Sequence, residues 1–213
     1  MDLKDNIELF SSLNAYKTRV EYLKGETIFK QGAFAPYVMY VVEGLVKVYL
    51  QTGVDKNISL SVVSDGDFLA FSSVFGEPVH TYSAQAITST QICMIEKESL
   101  KKILLDNPEF ALKITSQNYR NERHLFELIK NLSYKQMRGK LASALLYLSQ
   151  DDFIGKNIFE NLSRQDIADF ASISAESAIK FLKEFEKEGI IELVGKNIEI
   201  TNLSMLKDLS KNG

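Results

Sequence analysis

The chain has 213 residues, of which 45% are hydrophobic, and its formal net charge is −3. This length predicts one or two domains with buried cores. The acidic start of the chain and the lack of a long apolar run argue against a signal peptide and a membrane span, so a soluble, cytoplasmic protein is expected. Cys93 is the single cysteine, which excludes an intrachain disulfide and a cysteine-built metal cluster.

The first half of the chain predicts a short helix followed by a β-rich domain. Apolar residues spaced through residues 3–23 indicate a helical introduction. From Gly25 to about Ile95, short β-rich runs alternate with glycines. This pattern is typical of a β sandwich or a jelly-roll barrel. The predicted strands are Thr27–Phe29, Val38–Val42, Leu45–Leu50, Ile58–Val63, Ala84–Ile87 and Gln91–Ile95.

A long helix with two apolar stripes is predicted in the middle of the chain. Lys97–Leu105 is helical, and Asn107 and Pro108 begin a second helix that runs to about Leu132. A helix with two apolar stripes usually packs on its own domain with one and on another partner with the other. One broad stripe buried within a monomer is the alternative. The first stripe contains Leu112, Tyr119, Phe126 and Ile129, and the second contains Ala111, Ile114, Leu125, Leu128 and Leu132.

The C-terminal third predicts two short helices joined by a tight turn. Ser163 with Asp166 three residues later is typical of a capped helix start, and Ser174 can cap the next helix. That second helix has one apolar face and ends at Gly189. Two short strands around Gly195-Lys196 follow. A winged helix-turn-helix and an ordinary helical hairpin packed on a sheet both fit this spacing.

Several segments of the sequence resemble those of a known protein family, and this resemblance extends the predictions above. GETIFKQG, YVMYVVEGLVKVY and DGDFLAF, followed by SRQDIA and LKEFEKEGII, resemble the cyclic-AMP receptor protein / fumarate–nitrate regulator superfamily. The resemblance implies an α+β chain with a double-stranded β-helix (jelly-roll) sensor domain at 1–107, a dimerisation helix at 108–132 and a winged helix-turn-helix at 133–213. It also implies a transcription regulator that is a homodimer on a two-fold symmetric operator and has RNA polymerase as a partner.

The resemblance assigns the residues that contact DNA. The positions that read bases are Glu176, Ser177 and Lys180, of which Lys180 stands where the family has an arginine. Ala175 occupies the position of the family's first reading arginine. From their places at the start of the first helix and in the wing, Arg164, Gln165 and Lys196 are expected to contact phosphates without reading sequence.

The family's cyclic-AMP contacts are replaced in this sequence. A Gly-Glu pair that binds the ribose corresponds to Ala70-Phe71, and an Arg-Ser pair that binds the phosphate corresponds to Tyr82-Ser83. The polar pair from the long helix corresponds to Leu125 and Phe126. Cyclic AMP is therefore not expected to bind in the family's manner, and the effector is unknown. No cofactor, metal or catalytic residue is predicted.

Charge keeps other classes of protein open. Residues 133–196 contain nine Lys and Arg against ten Asp and Glu, so DNA binding requires the acidic side chains to turn away from the DNA. A protein-interaction module that has lost DNA binding is one alternative. A cupin-like enzyme is another, but it would need clustered metal ligands, and His80 and His124 are the only histidines. His80 is also a candidate haem ligand, although a solvated or hydrogen-bonded loop residue is the simpler interpretation.

Overall fold

A computed structural model describes residues 17–54, 56–153 and 155–213. Its N-terminal part contains two four-stranded sheets. The strands are β1 Lys17–Tyr22, β2 Thr27–Phe29, β3 Tyr37–Glu43, β4 Leu45–Gly53, β5 Lys56–Ser64, β6 Phe68–Leu69, β7 Ser83–Ala86 and β8 Thr90–Glu96. One sheet has the order β1-β8-β3-β6 and the other the order β2-β7-β4-β5. Neighbours distant in sequence lie side by side in both sheets, as a jelly-roll sandwich requires. The predicted sandwich is therefore confirmed.

The helix predicted for residues 3–23 is wrong where the structure describes it. Lys17–Tyr22 is strand β1, which pairs antiparallel with β8 from Lys17 opposite Ile95 to Tyr22 opposite Thr90. Residues 3–16 lie outside the described residues. The apolar spacing fitted a helix, but ladder hydrogen bonds to a strand about 70 residues away decide the conformation.

Two apolar clusters hold the sandwich together. The first joins both sheets through fully buried side chains such as Val41, Val46 and Ile92. The second joins β3 and β8 to the helices that follow, through Ile95 and Leu100 among others. Cys93 belongs to this second cluster and is buried, as expected for a small core residue.

The two helices after the sandwich are α1, Lys97–Asp106, and α2, Pro108–Tyr134. The stripes predicted on α2 differ in burial. In the second stripe Ile114 and Leu128 are buried and Leu125 is 39% exposed, whereas Leu112, Phe126 and Ile129 of the first are 71%, 61% and 59% exposed. The side chain of Tyr119 lies outside the described residues. Because the three described side chains of the first stripe stay exposed within this chain, the single broad stripe buried in a monomer does not describe α2.

The remaining elements form the C-terminal part. They are α3 Met137–Leu148, α4 Ile158–Asn161, α5 Arg164–Ala171, α6 Ala175–Lys187, β9 Ile191–Val194, β10 Asn197–Ile200 and α7 Leu203–Asn212. The chain divides into two compact units whose boundary falls within α2, between Glu122 and Arg123, and the second unit also includes Thr52–Ser59. Leu141, Leu145, Ile167, Leu182 and Phe185 are fully buried and form the core of the second unit.

A hydrogen-bond network joins α3 to α7, a helix that the sequence analysis did not predict. The Lys135 ammonium donates to Ser143 Oγ at 2.8 Å and to Ser210 Oγ at 3.1 Å, and burial lowers the pKa of Lys135. Ser143 Oγ donates to the Gly139 carbonyl at 2.7 Å, so Ser210 supplies the proton in the 2.8 Å bond between the two hydroxyls. Both hydroxyl protons and two of the three ammonium N–H groups thus find acceptors, which fixes α7 against α3.

Candidate nucleic-acid interface

Helix α5 begins at the predicted cap. Ser163 Oγ accepts from the Asp166 N–H at 3.0 Å, and an Asp166 carboxylate oxygen accepts from the Ser163 N–H at 2.8 Å. The reciprocal pair satisfies two backbone donors that the first turn of a helix leaves without partners. The start of α5 is therefore set by local sequence.

Replacing Ser163 by Ala should lower the free energy of unfolding by about 1 kcal/mol, because the Asp166 N–H loses its acceptor. Thermal denaturation measures this change. Ser204→Ala, at an exposed serine in the first turn of α7, is the matched control and should stay within about 0.5 kcal/mol of the unchanged chain. Equal melting temperatures for the two variants would contradict the predicted role of the cap.

A tight turn joins α5 to α6. Ser172 ends α5 in the left-handed region at φ 51°, and the Ile173 N–H donates to the Ala168 carbonyl at 3.1 Å. Ser174 then caps α6 by accepting from the Ser177 N–H at 3.2 Å. The two caps sit on either side of the turn, so the chain leaves one helix and enters the next within three residues. The predicted pair of capped helices is confirmed.

Helix α6 separates its apolar and polar faces. Ala178, Leu182 and Phe185 are buried, and Phe181 is half-buried beside them. The exposed residues on the opposite face include Glu176, Ile179, Lys180 and Lys183. The helix ends where predicted, because Gly189 takes φ +69° and the Ile190 N–H donates back to the Phe185 carbonyl at 2.9 Å.

The three residues expected to read bases differ in how they are held. Glu176 is exposed in the first turn of α6. The Ser177 hydroxyl accepts from Ser174 Oγ at 3.1 Å, so it is tied to the cap of its own helix. The Lys180 ammonium lies 4.0 Å from Glu184 Oε1. Glu176 and Lys180 are four residues apart and therefore lie on one face of α6.

The residues expected to bind phosphate lie at the start of α5 and in the turn between β9 and β10. Arg164 Nη2 donates to the Gly195 carbonyl at 3.3 Å, and burial lowers the pKa of Arg164. Gln165 Nε2 donates to the buried carboxylate of Asp169 at 2.7 Å. Lys196 is exposed at the tip of the β9–β10 hairpin. Arg164 thus braces this hairpin against α5, a contact that its sequence position did not reveal.

The acidic residues at the C-terminal end of α6 are held by other groups of the same unit. Arg138 Nη2 donates to both carboxylate oxygens of Glu188, at 2.9 and 2.8 Å, and Arg138 Nη1 lies 3.6 Å from Glu184. Glu186 accepts from the Leu193 N–H at 3.1 Å. Three of the ten acidic side chains of residues 133–196 are therefore engaged with an arginine or with the backbone of the hairpin.

Arg138 is the residue of this interface that sequence reasoning missed. Its guanidinium also lies over the Phe185 ring, 5.4 Å from the ring centre. Glu188 is 50 residues away along the chain. The only signal available in the sequence was an excess of glutamates near Gly189, which required a cation from elsewhere in the fold.

In the sensor domain, the structure brings two of the expected pocket positions into direct contact. The Tyr82 hydroxyl accepts from the Ala70 N–H at 2.8 Å, and burial raises the pKa of Tyr82 while this hydrogen bond lowers it. Ala70 takes φ 56° at the start of the short 3-10 turn Phe71–Phe75. The Ser83 hydroxyl accepts from the Gln31 N–H at 2.9 Å. The hydroxyl oxygens of Tyr82 and Ser83 thus each accept a hydrogen bond from a backbone N–H group.

Aromatic rings surround this contact. The ring of Phe29 lies 5.5 Å from that of Tyr82 and stacks on His80 at 3.9 Å with an interplanar angle of 15°. His80 is buried rather than solvated, and burial lowers its pKa. Leu125 and Phe126, the other expected pocket positions, are exposed and belong to the second compact unit.

Across residues 17–54, 56–153 and 155–213, no three His, Cys, Asp or Glu side chains are grouped so that they could hold a metal ion. In the same described part of the chain, none of the helices combines the length and the apolar character needed to cross a membrane.

Comparison with known families matches both parts of the chain. Residues 19–107 match the cyclic nucleotide-binding domain, and residues 139–209 match the Crp-like helix-turn-helix domain. The cAMP-activated global transcriptional regulator CRP of Salmonella typhimurium is 27% identical over 186 residues, covering 84% of this chain and 88% of that protein. The CRP-like cAMP-activated global transcriptional regulator of Mycobacterium tuberculosis is 24% identical over 191 residues, covering 88% of this chain and 85% of that protein.

Solved structures have the same fold. FixK2 from Bradyrhizobium japonicum superimposes with a TM-score of 0.79 at 24% identity, covering 91% of this chain and 96% of that one. The c-di-GMP responsive global regulator CLP of Xanthomonas campestris superimposes with a TM-score of 0.79 at 20% identity, covering 92% and 98%. A β sandwich followed by a helix-turn-helix, with matches to both family domains in the same order, leads to one conclusion. The chain belongs to the cyclic-AMP receptor protein / fumarate–nitrate regulator superfamily of DNA-binding transcription regulators.

Proposed function

We propose that this protein is a homodimeric regulator that binds a two-fold symmetric operator and does not use cyclic AMP in the usual manner. The observation that carries the DNA-binding part is the polar face of α6. This face exposes Glu176 and Lys180, while Glu184, Glu186 and Glu188 have partners within their own unit. An anionic ligand therefore meets cations and one base-reading carboxylate rather than a row of acidic side chains.

The chemistry of these side chains suggests how bases are read. A carboxylate such as Glu176 accepts from the amino group of cytosine, and an ammonium such as Lys180 donates to the acceptors of guanine. Lysine lacks the planar fork of arginine, so discrimination by Lys180 is looser than the family's arginine would give. Ser177 assists by donating its hydroxyl proton, because in the bond to Ser174 its oxygen is the acceptor.

The remaining contacts position the protein without reading sequence. Arg164, Gln165 and Lys196 bind phosphates in this proposal, which fixes the register of α6 in the major groove. Arg164 keeps its hairpin contact with Gly195 while its side chain faces the DNA backbone. The protein bound to such an operator acts in the cytoplasm of a bacterial-type cell, and RNA polymerase is its expected partner there.

A two-fold symmetric dimer predicts the shape of the operator. Two recognition helices about one DNA turn apart, roughly 34 Å, require inverted half-sites centred about 10 bp apart. Selection of bound fragments from random DNA, followed by sequencing, measures this directly. A single unrepeated half-site would contradict the dimer, and the recovery of no enriched sequence would favour a protein-interaction module that has lost DNA binding.

Calorimetry should detect no saturable binding of cyclic AMP at micromolar concentrations. The family's arginine and glutamate are absent, and Tyr82 bonds to the backbone at Ala70. Loss of a charge-assisted contact to a phosphate removes a large part of the affinity for such a ligand. The cAMP-activated relative from Salmonella typhimurium, titrated under the same conditions, is the positive control. Saturable micromolar binding of cyclic AMP or cyclic GMP by this chain would refute the proposal.

A further inference from the structure

Arg138 lies on α3, outside the two helices of the helix-turn-helix, yet it contacts the C-terminal half of α6. Its Nη2 forms two hydrogen bonds to Glu188, of 2.9 and 2.8 Å, and its Nη1 lies 3.6 Å from Glu184 Oε2. The guanidinium stacks 5.4 Å above the centre of the buried Phe185 ring. Contacts to Glu184 and Phe185 in the last turn of α6 and to Glu188 at its C-cap fix both the position and the orientation of this cation.

Glu184 is shared between two cations. One carboxylate oxygen, Oε2, faces Arg138 at 3.6 Å, and the other, Oε1, faces the Lys180 ammonium at 4.0 Å. Lys180 is the more exposed partner, with 70% of its side chain in solvent, whereas the side chains of Glu184 and Arg138 are each 35% exposed. Lys180 is therefore the partner that can leave, while Arg138 stays.

This sharing affects how strongly Lys180 is held along its own helix. Attraction to Glu184 draws the Lys180 ammonium along its own helix, so it opposes the reach of Lys180 toward a base edge. Arg138 offsets part of the Glu184 charge and turns one of its oxygens away from Lys180. Without Arg138, the whole carboxylate charge is available to Lys180 and also faces the approaching DNA.

We propose that Arg138 is a positioning residue for base reading, which acts through Glu184 to release Lys180 toward the DNA. The inference rests on the proposed role of Lys180. It makes a residue of α3, remote from the reading face in sequence, a determinant of affinity and base preference at the position that Lys180 contacts.

The test uses the full chain and the operator selected from random DNA, with affinity measured at low salt. Arg138→Gln should weaken each half-site about two- to fivefold, the range expected for an exposed ion pair. In the double variant Arg138→Gln/Glu184→Gln, the affinity should return at least to that of the unchanged chain, because the Glu184 carboxylate no longer attracts Lys180, while Glu176 is present in every variant. Glu192→Gln removes the same charge from an exposed residue of β9 and should change the affinity equally with and without Arg138.

The coupling between positions separates this role from a purely structural one. If Arg138 only stabilised α6 through Glu188 and Phe185, Glu184→Gln would not restore binding, and that result would overturn the inference. Arg138→Lys keeps the charge but loses the planar fork, and its loss of affinity should also be relieved by Glu184→Gln. This variant provides the measurement if Arg138→Gln unfolds.

The failure of the proposed base reading has a different signature. If Lys180→Ala in the otherwise unchanged chain left both the affinity and the selected sequence as they were, the reading role of Lys180 would be wrong, and the inference would fall with it. If Lys180→Ala altered the selected base but Arg138 and Glu184 showed no coupling, only the inference would be overturned.

Discussion

The double variant Leu112→Glu/Ile129→Glu should be a monomer whose affinity for the selected operator is lower by about 100-fold or more. Both side chains are exposed along α2, at 71% and 59%, so their replacement leaves the fold of the single chain intact. In a two-fold symmetric pairing along α2, each new carboxylate is buried near its own symmetry mate, which costs binding energy. Two monomers then bind the two half-sites independently. The affinity that a dimer gains by linking its two DNA-binding domains, about 100-fold or more, is therefore lost.

Analytical ultracentrifugation measures the mass, and fluorescence anisotropy measures the affinity. Leu105→Glu is the matched control, because Leu105 is equally exposed at 73% but lies at the end of α1 rather than on the α2 stripe. The control should remain a dimer and bind normally. A dimeric Leu112→Glu/Ile129→Glu protein would show that the exposed stripe of α2 is not the dimer contact.

The variant Glu176→Ala should bind its operator more weakly by roughly 1–3 kcal/mol and lose preference at one base pair of each half-site. Glu176 is exposed in the first turn of α6, on the face opposite the buried Leu182. Its removal takes away one acceptor for a base amino group and leaves the packing of the helix unchanged. Repeating the selection from random DNA with the variant shows which base pair becomes degenerate.

Phosphate-contact variants provide the contrast. Arg164→Ala and Lys196→Ala should weaken all sequences about equally, and each should reduce the salt dependence of binding by about one counterion. Because Arg164 also holds the Gly195 carbonyl, the Lys196 variant is the cleaner of the two. An unchanged motif for Glu176→Ala together with an altered motif for Lys196→Ala would reverse the assignment of reading and anchoring residues.

Several acidic side chains of the C-terminal unit pair with other groups of the same unit, and the sequence could not reveal these pairings. Residues 133–196 carry ten acidic side chains against nine basic ones. Four of these acidic residues, Asp166, Asp169, Glu186 and Glu188, accept hydrogen bonds from within the unit. Net charge therefore describes this surface poorly, because what a ligand meets depends on which carboxylates face it.

The helix-turn-helix was determined largely by local sequence. Its boundaries depend on the caps at Ser163 and Ser174 and on the left-handed glycine at Gly189, and each of these acts within a few residues of its own position. The apolar face of α6 follows from the helical period in the same way. Short-range signals of this kind are legible in a sequence because the interactions that they describe close within one or two turns.

Features that depend on distant partners were decided only by the tertiary structure. The sequence indicated a helix where β1 lies, because the pairing partner β8 follows about 70 residues later. It gave no sign that Arg138 would meet Glu188, or that Lys135 would join Ser143 to Ser210, since these pairs lie far apart along the chain. Contacts of this kind depend on how the elements pack, and the packing depends on the whole chain rather than on any one segment. The sequence thus determined the fold class and the helix-turn-helix, whereas the tertiary structure decided which charged side chains of the C-terminal unit pair with one another.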